Sequence, residues 1–386
     1  MDLEKEIFEF WKETSPSSAF SEGVESCAGK LFLPTDKNRR RALAEARALI
    51  RRAKDEKTRK FLKVYETSLA IEELDEPHHA PEEIMGTFFN YMVKEGFNEK
   101  HLSSLADDSS ALLIISLRRL SKKKWPVEIK IMTMNEAGGA AALLKTVEKE
   151  VKSAELKKKI SRLIKELIDY RQAFGVRGIK NGDFSEAFPI MKKQGGKLGR
   201  KKYYPVMLKD FRDFPESAGQ IEKKATGWLN SELVHFKKIT VQLAKIYKCR
   251  PTAEAVEEQI KKRGKLKGAH LVKTNKEARA VLQKIAGKEF VKIAPGYDTR
   301  LIETPDYMVN FITTAAMNSL DSFTKKPFNI FFVTTSKKGS PVSDIADLMN
   351  TLSHEEYGHC VNFSNTARQF AGKLGITERI SSGLSL

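Results

Sequence analysis

Cysteine is scarce in this 386-residue chain: Cys27, Cys249 and Cys360 are the only three, and no Cys-x-x-Cys pair occurs. That excludes a disulfide framework and a cysteine-built zinc site, and it fits a reducing compartment. Long apolar runs are missing too. The most hydrophobic stretches, residues 111–117 and 328–333, fall far short of the roughly 20 residues a membrane span needs. The opening Met1-Asp2-Leu3-Glu4-Lys5-Glu6 is acidic and charged and lacks the order of a signal peptide. A cytoplasmic protein is expected, with no membrane partner. Histidine is also sparse, seven residues in all, so the spacing of any two carries information.

What is abundant is positive charge: 68 Lys and Arg against 50 acidic residues, a net +18. A basic field can gather acidic substrates or hold nucleic acid. Here the lysines mostly sit beside glutamates, as in 145–159 and 254–267, which is the pattern of solvated helix faces. The one dense basic stretch without acids is 192–202, KKQGGKLGRKK. Its Gly195-Gly196-Lys197 fails the P-loop pattern, because no Gly-Lys-Ser/Thr follows a strand. With no recognition module beside it, nucleic acid is not an expected partner, and the stretch reads as a basic loop.

Apolar periodicity predicts helices over 2–13, 38–54, 55–74, 81–94, 98–123, 135–150, 153–174 and 217–247, with Thr252 N-capping another. The 217–247 helix is amphipathic, carrying Ile221, Trp228, Leu229, Leu233, Phe236 and Leu243, with His235 as a packing or surface residue. Pro77 and Pro81 bracket His78-His79 in what reads as an exposed turn. From 289 to 335 the helical period fades and β-branched and aromatic residues rise. Segments 290–293 and 328–334 read as strands, and a further helix follows with Ser343 as its N-cap. The expected architecture is mainly α with a small antiparallel sheet beside a long cleft. It forms one domain, with a helical body over 1–285 and the sheet plus a final helix over 286–386.

That last helix contains Ser353-His354-Glu355-Glu356-Tyr357-Gly358-His359-Cys360. Zinc binds neutral imidazole well, and catalytic sites use about three protein ligands plus water. Bound zinc lowers the pKa of that water to about 7 and polarises a substrate carbonyl. An adjacent carboxylate can take the proton and pass it to the leaving amine. His354 and His359 supply the imidazoles and Glu355 the carboxylate, with Glu356 as second choice; Cys360 reads as a small buried residue. In a regular helix positions i and i+4 differ by about 40°, but i and i+5 by about 140°. Convergence therefore requires a π-bulge, which Gly358 would permit. Ile345, Leu348 and Leu352 stay in phase with Phe363, Ala367 and Phe370, so periodicity by itself gives no sign of the bulge.

The string resembles the domain of unknown function 885 family, whose signature is close to His-Glu-x-x-Pro-Gly-His; the proline is missing here. Glu303-Thr304-Pro305-Asp306-Tyr307, Ala315-Ala316, Phe331-Phe332-Val333-Thr334 and the opening Trp11, Ser15-Pro16 and Gly23 are similar to that family's segments. The resemblance implies a gluzincin-like, carboxypeptidase-like zinc metallopeptidase acting on peptides, with the 328–334 strand offering a free edge to an extended substrate. It also implies a glutamate third ligand in a Glu-Gly segment downstream of Leu386. A chain lacking its C-terminal part is therefore expected; Glu378, with eighteen residues between it and His359, is the alternative ligand. Tyr297, Arg300, Tyr307 and Tyr357 are candidates for binding a substrate carboxylate or steadying the reacting carbonyl. The rival expectations are an inactive relative acting as a binding subunit and a basic helical nucleic-acid-binding protein.

Overall fold

The computed structural model describes residues 2–179, 188–190, 192–193, 203–266, 271–289, 291–293, 297, 299–309, 312–318, 323, 329–335, 344–362, 364–365 and 375–384. Helices dominate: Leu3–Thr14 (α1), Pro16–Ser21 (α2), Asp36–Arg52 (α3), Glu56–Ala70 (α4), His79–Glu95 (α5), Glu99–Leu120 (α6), Val127–Glu150 (α7) and Ala154–Ala173 (α8). Ala218–Tyr247 (α9), Ala253–Gly264 (α10), Leu271–Glu289 (α11), Ile345–Leu352 (α12) and Ile376–Leu384 (α13) complete the labelled helices. The strands are Thr299–Glu303 (β1), Ala315–Asn318 (β2) and Asn329–Val333 (β3). Among the described residues no helix is long and apolar enough to cross a membrane. Of the basic stretch 192–202, only Lys192 and Lys193 fall among them.

Local chemistry explains most helix starts. The side chains of Asp2, Thr35, Asp55, Ser153 and Thr252 each accept a backbone N–H from the first turn of the helix that follows. Ser217 and Gln220 form a reciprocal capping box at α9. Helix α7 starts at Val127, well before the expected residue 135. Val127, Glu128, Ile129 and Ile131 are all buried, so this turn has no polar face for periodicity to detect.

The chain divides into two compact units, Met1–Pro215 with Gly375–Leu386, and Glu216–Leu374. In the first, α7 packs on α5 and α8, α8 on α6, and α13 on α1 and α4. Trp11, Phe88, Tyr91, Leu143, Ile160 and Tyr170 are all but fully buried there, each contributing roughly 1.5–3 kcal/mol. Pro77-His78 is a turn and His79, which opens α5, is exposed as expected, but His78 is buried at 7% exposure, which corrects the reading for that residue.

In the second unit the three strands lie in the order β1-β3-β2. β1 pairs parallel with β3, Thr299 opposite Asn329; β2 pairs antiparallel with β3, Ala315 opposite Val333. The small sheet is thus mixed and not antiparallel. Chain direction alternates from strand to strand, but β3 inserts between the other two, so the first and third run the same way. β3 is also central, which overturns the expectation that it offers a free edge. Phe331, Phe332 and Val333 are all buried, as a strand covered on both faces requires. Residues 291–293 carry no strand, and Phe290 lies outside the described residues. Helix α9 buries only Thr240 and Ala244; Trp228 and Phe236 are 67% and 55% exposed, and His235 is exposed as well.

Candidate metal centre

Helix α12 begins at Asp344, whose carboxylate accepts the N–H groups of Ala346 and Asp347 at 2.9 and 3.0 Å. Asp344 is the N-cap in place of Ser343, which lies outside the described residues. Leu348 and Leu352 then pack against Phe331 and Val333 of β3 and Ala278 of α11. Past Leu352 the helix widens: Ser353–Cys360 is π-helical, and the Val361 N–H reaches back five residues to the Glu356 carbonyl.

Five residues now close about one turn instead of overshooting it. His354 and His359 face each other, with Nε2 atoms 3.3 Å apart, ring centroids 4.8 Å apart and ring planes at 88°. Two imidazoles on a tetrahedral zinc ion, each at 2.0–2.1 Å, have nitrogens about 3.3–3.4 Å apart. The observed pair fits that spacing, so these two side chains could hold such an ion.

The wide turn is fastened from below. Glu356 is buried at 1% exposure, and its Oε1 accepts from Arg279 Nε at 2.6 Å and Tyr297 Oη at 3.1 Å. Arg279, on α11, also donates to the Thr299 carbonyl of β1 at 3.2 Å. Burial pulls the guanidinium pKa down, but the Glu356 carboxylate outweighs that and holds it above its ordinary value. Burial, reinforced by Glu356, likewise raises the Tyr297 pKa. Asn329 of β3, fully buried, donates to Ser364 Oγ at 2.9 Å and lies 3.5 Å from the Cys360 carbonyl. Helix, sheet and π-turn are thereby tied together just beneath the histidines.

This network sorts the two carboxylates. Glu356 is committed to the arginine clamp, which removes it as the second choice of base. Glu355 is half-exposed and makes no hydrogen bond or ion pair among the described residues, so it is the carboxylate open to a water or substrate. Cys360 is buried, and burial, followed by the two glutamates, pushes its thiol up to about 12. A thiol held protonated is a poor metal ligand. Tyr297 belongs to the clamp, Arg300 lies exposed on β1, and the Tyr307 side chain falls outside the described residues. The half-buried Tyr357 keeps a buried hydroxyl with no hydrogen-bond partner among the described residues, and burial pushes its pKa up to about 12.

Glu378 sits on α13 in the other unit. One of its oxygens accepts from Lys57 at 2.8 Å and the other from the Gly375 N–H at 3.2 Å. Among the described residues no third His, Cys, Asp or Glu groups with His354 and His359. Arg279 and Asn329 escaped the sequence reading. Asn329 had a signal, a lone amide inside an apolar strand; Arg279 is one of many cations on its helix and had none.

The π-turn does not depend on glycine. Gly358 has no positive φ, and an added Cβ would meet only the Ser353 carbonyl at 3.9 Å, an ordinary contact. Gly358→Ala is therefore expected to retain metal binding and to gain about 0.5–1 kcal/mol in urea unfolding, as helical Gly→Ala changes do.

No protein-family model matches the chain, and no curated protein does. Among solved structures, the putative lipoprotein of unknown function from Shewanella oneidensis is similar at 15% identity and a TM-score of 0.59, over 98% of this chain and 73% of that one. The putative lipoprotein from Colwellia psychrerythraea is similar at 11% identity and a TM-score of 0.51, over 99% and 80%. At such identities the likeness is one of fold; this chain's own architecture is a mainly helical body with a small mixed sheet.

Proposed function

We propose that this chain is a zinc-dependent peptidase, with His354 and His359 as metal ligands and Glu355 as general base. The observation that carries the reading is the π-turn, which brings two imidazole nitrogens to 3.3 Å of each other beside an uncommitted carboxylate. When bound, zinc supplies a lowered water pKa and a polarised carbonyl. Glu355 takes the proton from the attacking water and returns it to the departing amine. Arg279 and Tyr297 hold Glu356, and through it the turn, so the imidazoles need no rearrangement to bind the ion.

Substrate positioning falls to β2. It packs against the π-turn, and its edge away from β3 pairs with no strand among the described residues. An extended peptide paired there would be held through its backbone, which favours peptides over other acyl substrates and implies little side-chain preference.

The decisive measurement is zinc content after dialysis against buffered Zn2+, with and without His359→Ala. Loss of one ion per chain in the variant is expected; an unchanged stoichiometry would remove the peptidase reading.

A further inference from the structure

The first unit holds a second group of metal-ligating side chains, unrelated to the π-turn. Glu76, His78 and His79 each present a ligand atom within 4.8 Å of the others. They lie in one tight turn whose Pro77 carbonyl accepts from the buried Tyr170 hydroxyl at 2.8 Å, which anchors the turn to α8. His78 is 7% exposed, and its Nδ1 has no hydrogen-bond partner among the described residues while lying 3.4 Å from a Glu76 carboxylate oxygen.

That arrangement is awkward for a bare imidazole. A neutral ring with its lone pair at Nδ1 faces the lone pairs of a carboxylate oxygen, and one with its proton there makes no hydrogen bond to it. A cation between nitrogen and carboxylate resolves both cases. His79 accepts the Glu76 N–H at Nδ1 (3.2 Å), a weak bond that ligation would replace. His79 also lines a cavity of about 500 Å³ whose walls include Glu22, Glu82 and Glu83 and, among the described residues, no lysine or arginine. In a chain of net charge +18, a carboxyl-rich cavity beside His79 is a place where a cation would be drawn in.

We propose that Glu76, His78 and His79 form a binding site for a divalent transition cation of the zinc class, distinct from His354 and His359. Two imidazoles and one carboxylate are the donor set such ions prefer, and the cavity leaves a position for water. The ion fastens the turn to the start of α5.

The test uses the full-length His354→Ala/His359→Ala protein and Zn2+ alone, with the fold checked by circular dichroism. One zinc per chain should remain in this background. Adding His79→Ala should remove it, and adding Glu76→Gln should weaken it at least tenfold. Because a change at the turn could disturb folding, Ni2+ titration of the double variant supplies a second readout: the ring resonances of His78 and His79 should broaden first. Absence of zinc from the double variant, retention of zinc after His79→Ala, or broadening confined to His101 or His235 would each overturn the site. Failure of the π-turn reading looks different, because wild-type protein would then hold one zinc that survives loss of both His354 and His359.

Discussion

Glu355→Gln is expected to leave the zinc content at its wild-type value while peptide hydrolysis falls by about 10²–10⁴-fold, the usual contribution of a positioned general base. The amide keeps the size of the side chain and its hydrogen-bonding reach but cannot take a proton. Because Glu355 makes no ion pair or hydrogen bond among the described residues, the change should also leave stability within a few tenths of a kcal/mol. The measurement is kcat/KM on a pool of internally quenched peptides, alongside metal analysis of the same preparation. Wild-type turnover by the glutamine variant would take the base assignment away from Glu355.

The second large effect lies in the clamp beneath. Arg279→Met strips the cation from a carboxylate that is 1% exposed, and breaking such a buried pair from one side costs about 3–5 kcal/mol. Unfolding in urea should therefore shift strongly, and zinc affinity should drop because the π-turn loses its fastening. The double change Arg279→Met with Glu356→Met removes the stranded charge and should recover most of the stability. If the double variant is no more stable than the single, the penalty comes from lost packing of the arginine stem and not from the buried charge.

How much of this was legible beforehand depended on the range of the interaction concerned. Helix starts at Thr252 and Ser217 were readable because a cap acts within three residues. The 329–333 strand was readable because both its faces are buried and its composition says so. Its central place in the sheet was not, because pairing partners lie up to 30 residues away and no local pattern encodes their order. The histidine spacing did call for a wide turn, and the structure has one. Its cause was hidden: the fastening comes from Arg279, Tyr297 and Asn329, which neither neighbour the motif nor share its period. The unexpected burial of His78 has the same origin. Flanking prolines indicate a turn, but the burial of that turn is set by Tyr170, a hydroxyl reaching in from α8.

The return of α13 to the first unit has a kinetic corollary. This helix rests on α1 and α4 and is joined to α4 by the Lys57–Glu378 ion pair, yet the whole Glu216–Leu374 segment separates it from them in sequence. On the ribosome, the N-terminal bundle emerges with its seat for α13 still empty and must wait until the intervening unit has been synthesised. Long-range closure of that kind carries its entropic cost before any contact repays it. Docking of α13 should consequently be a late folding event, one whose rate reflects how compactly the inserted segment has already collapsed.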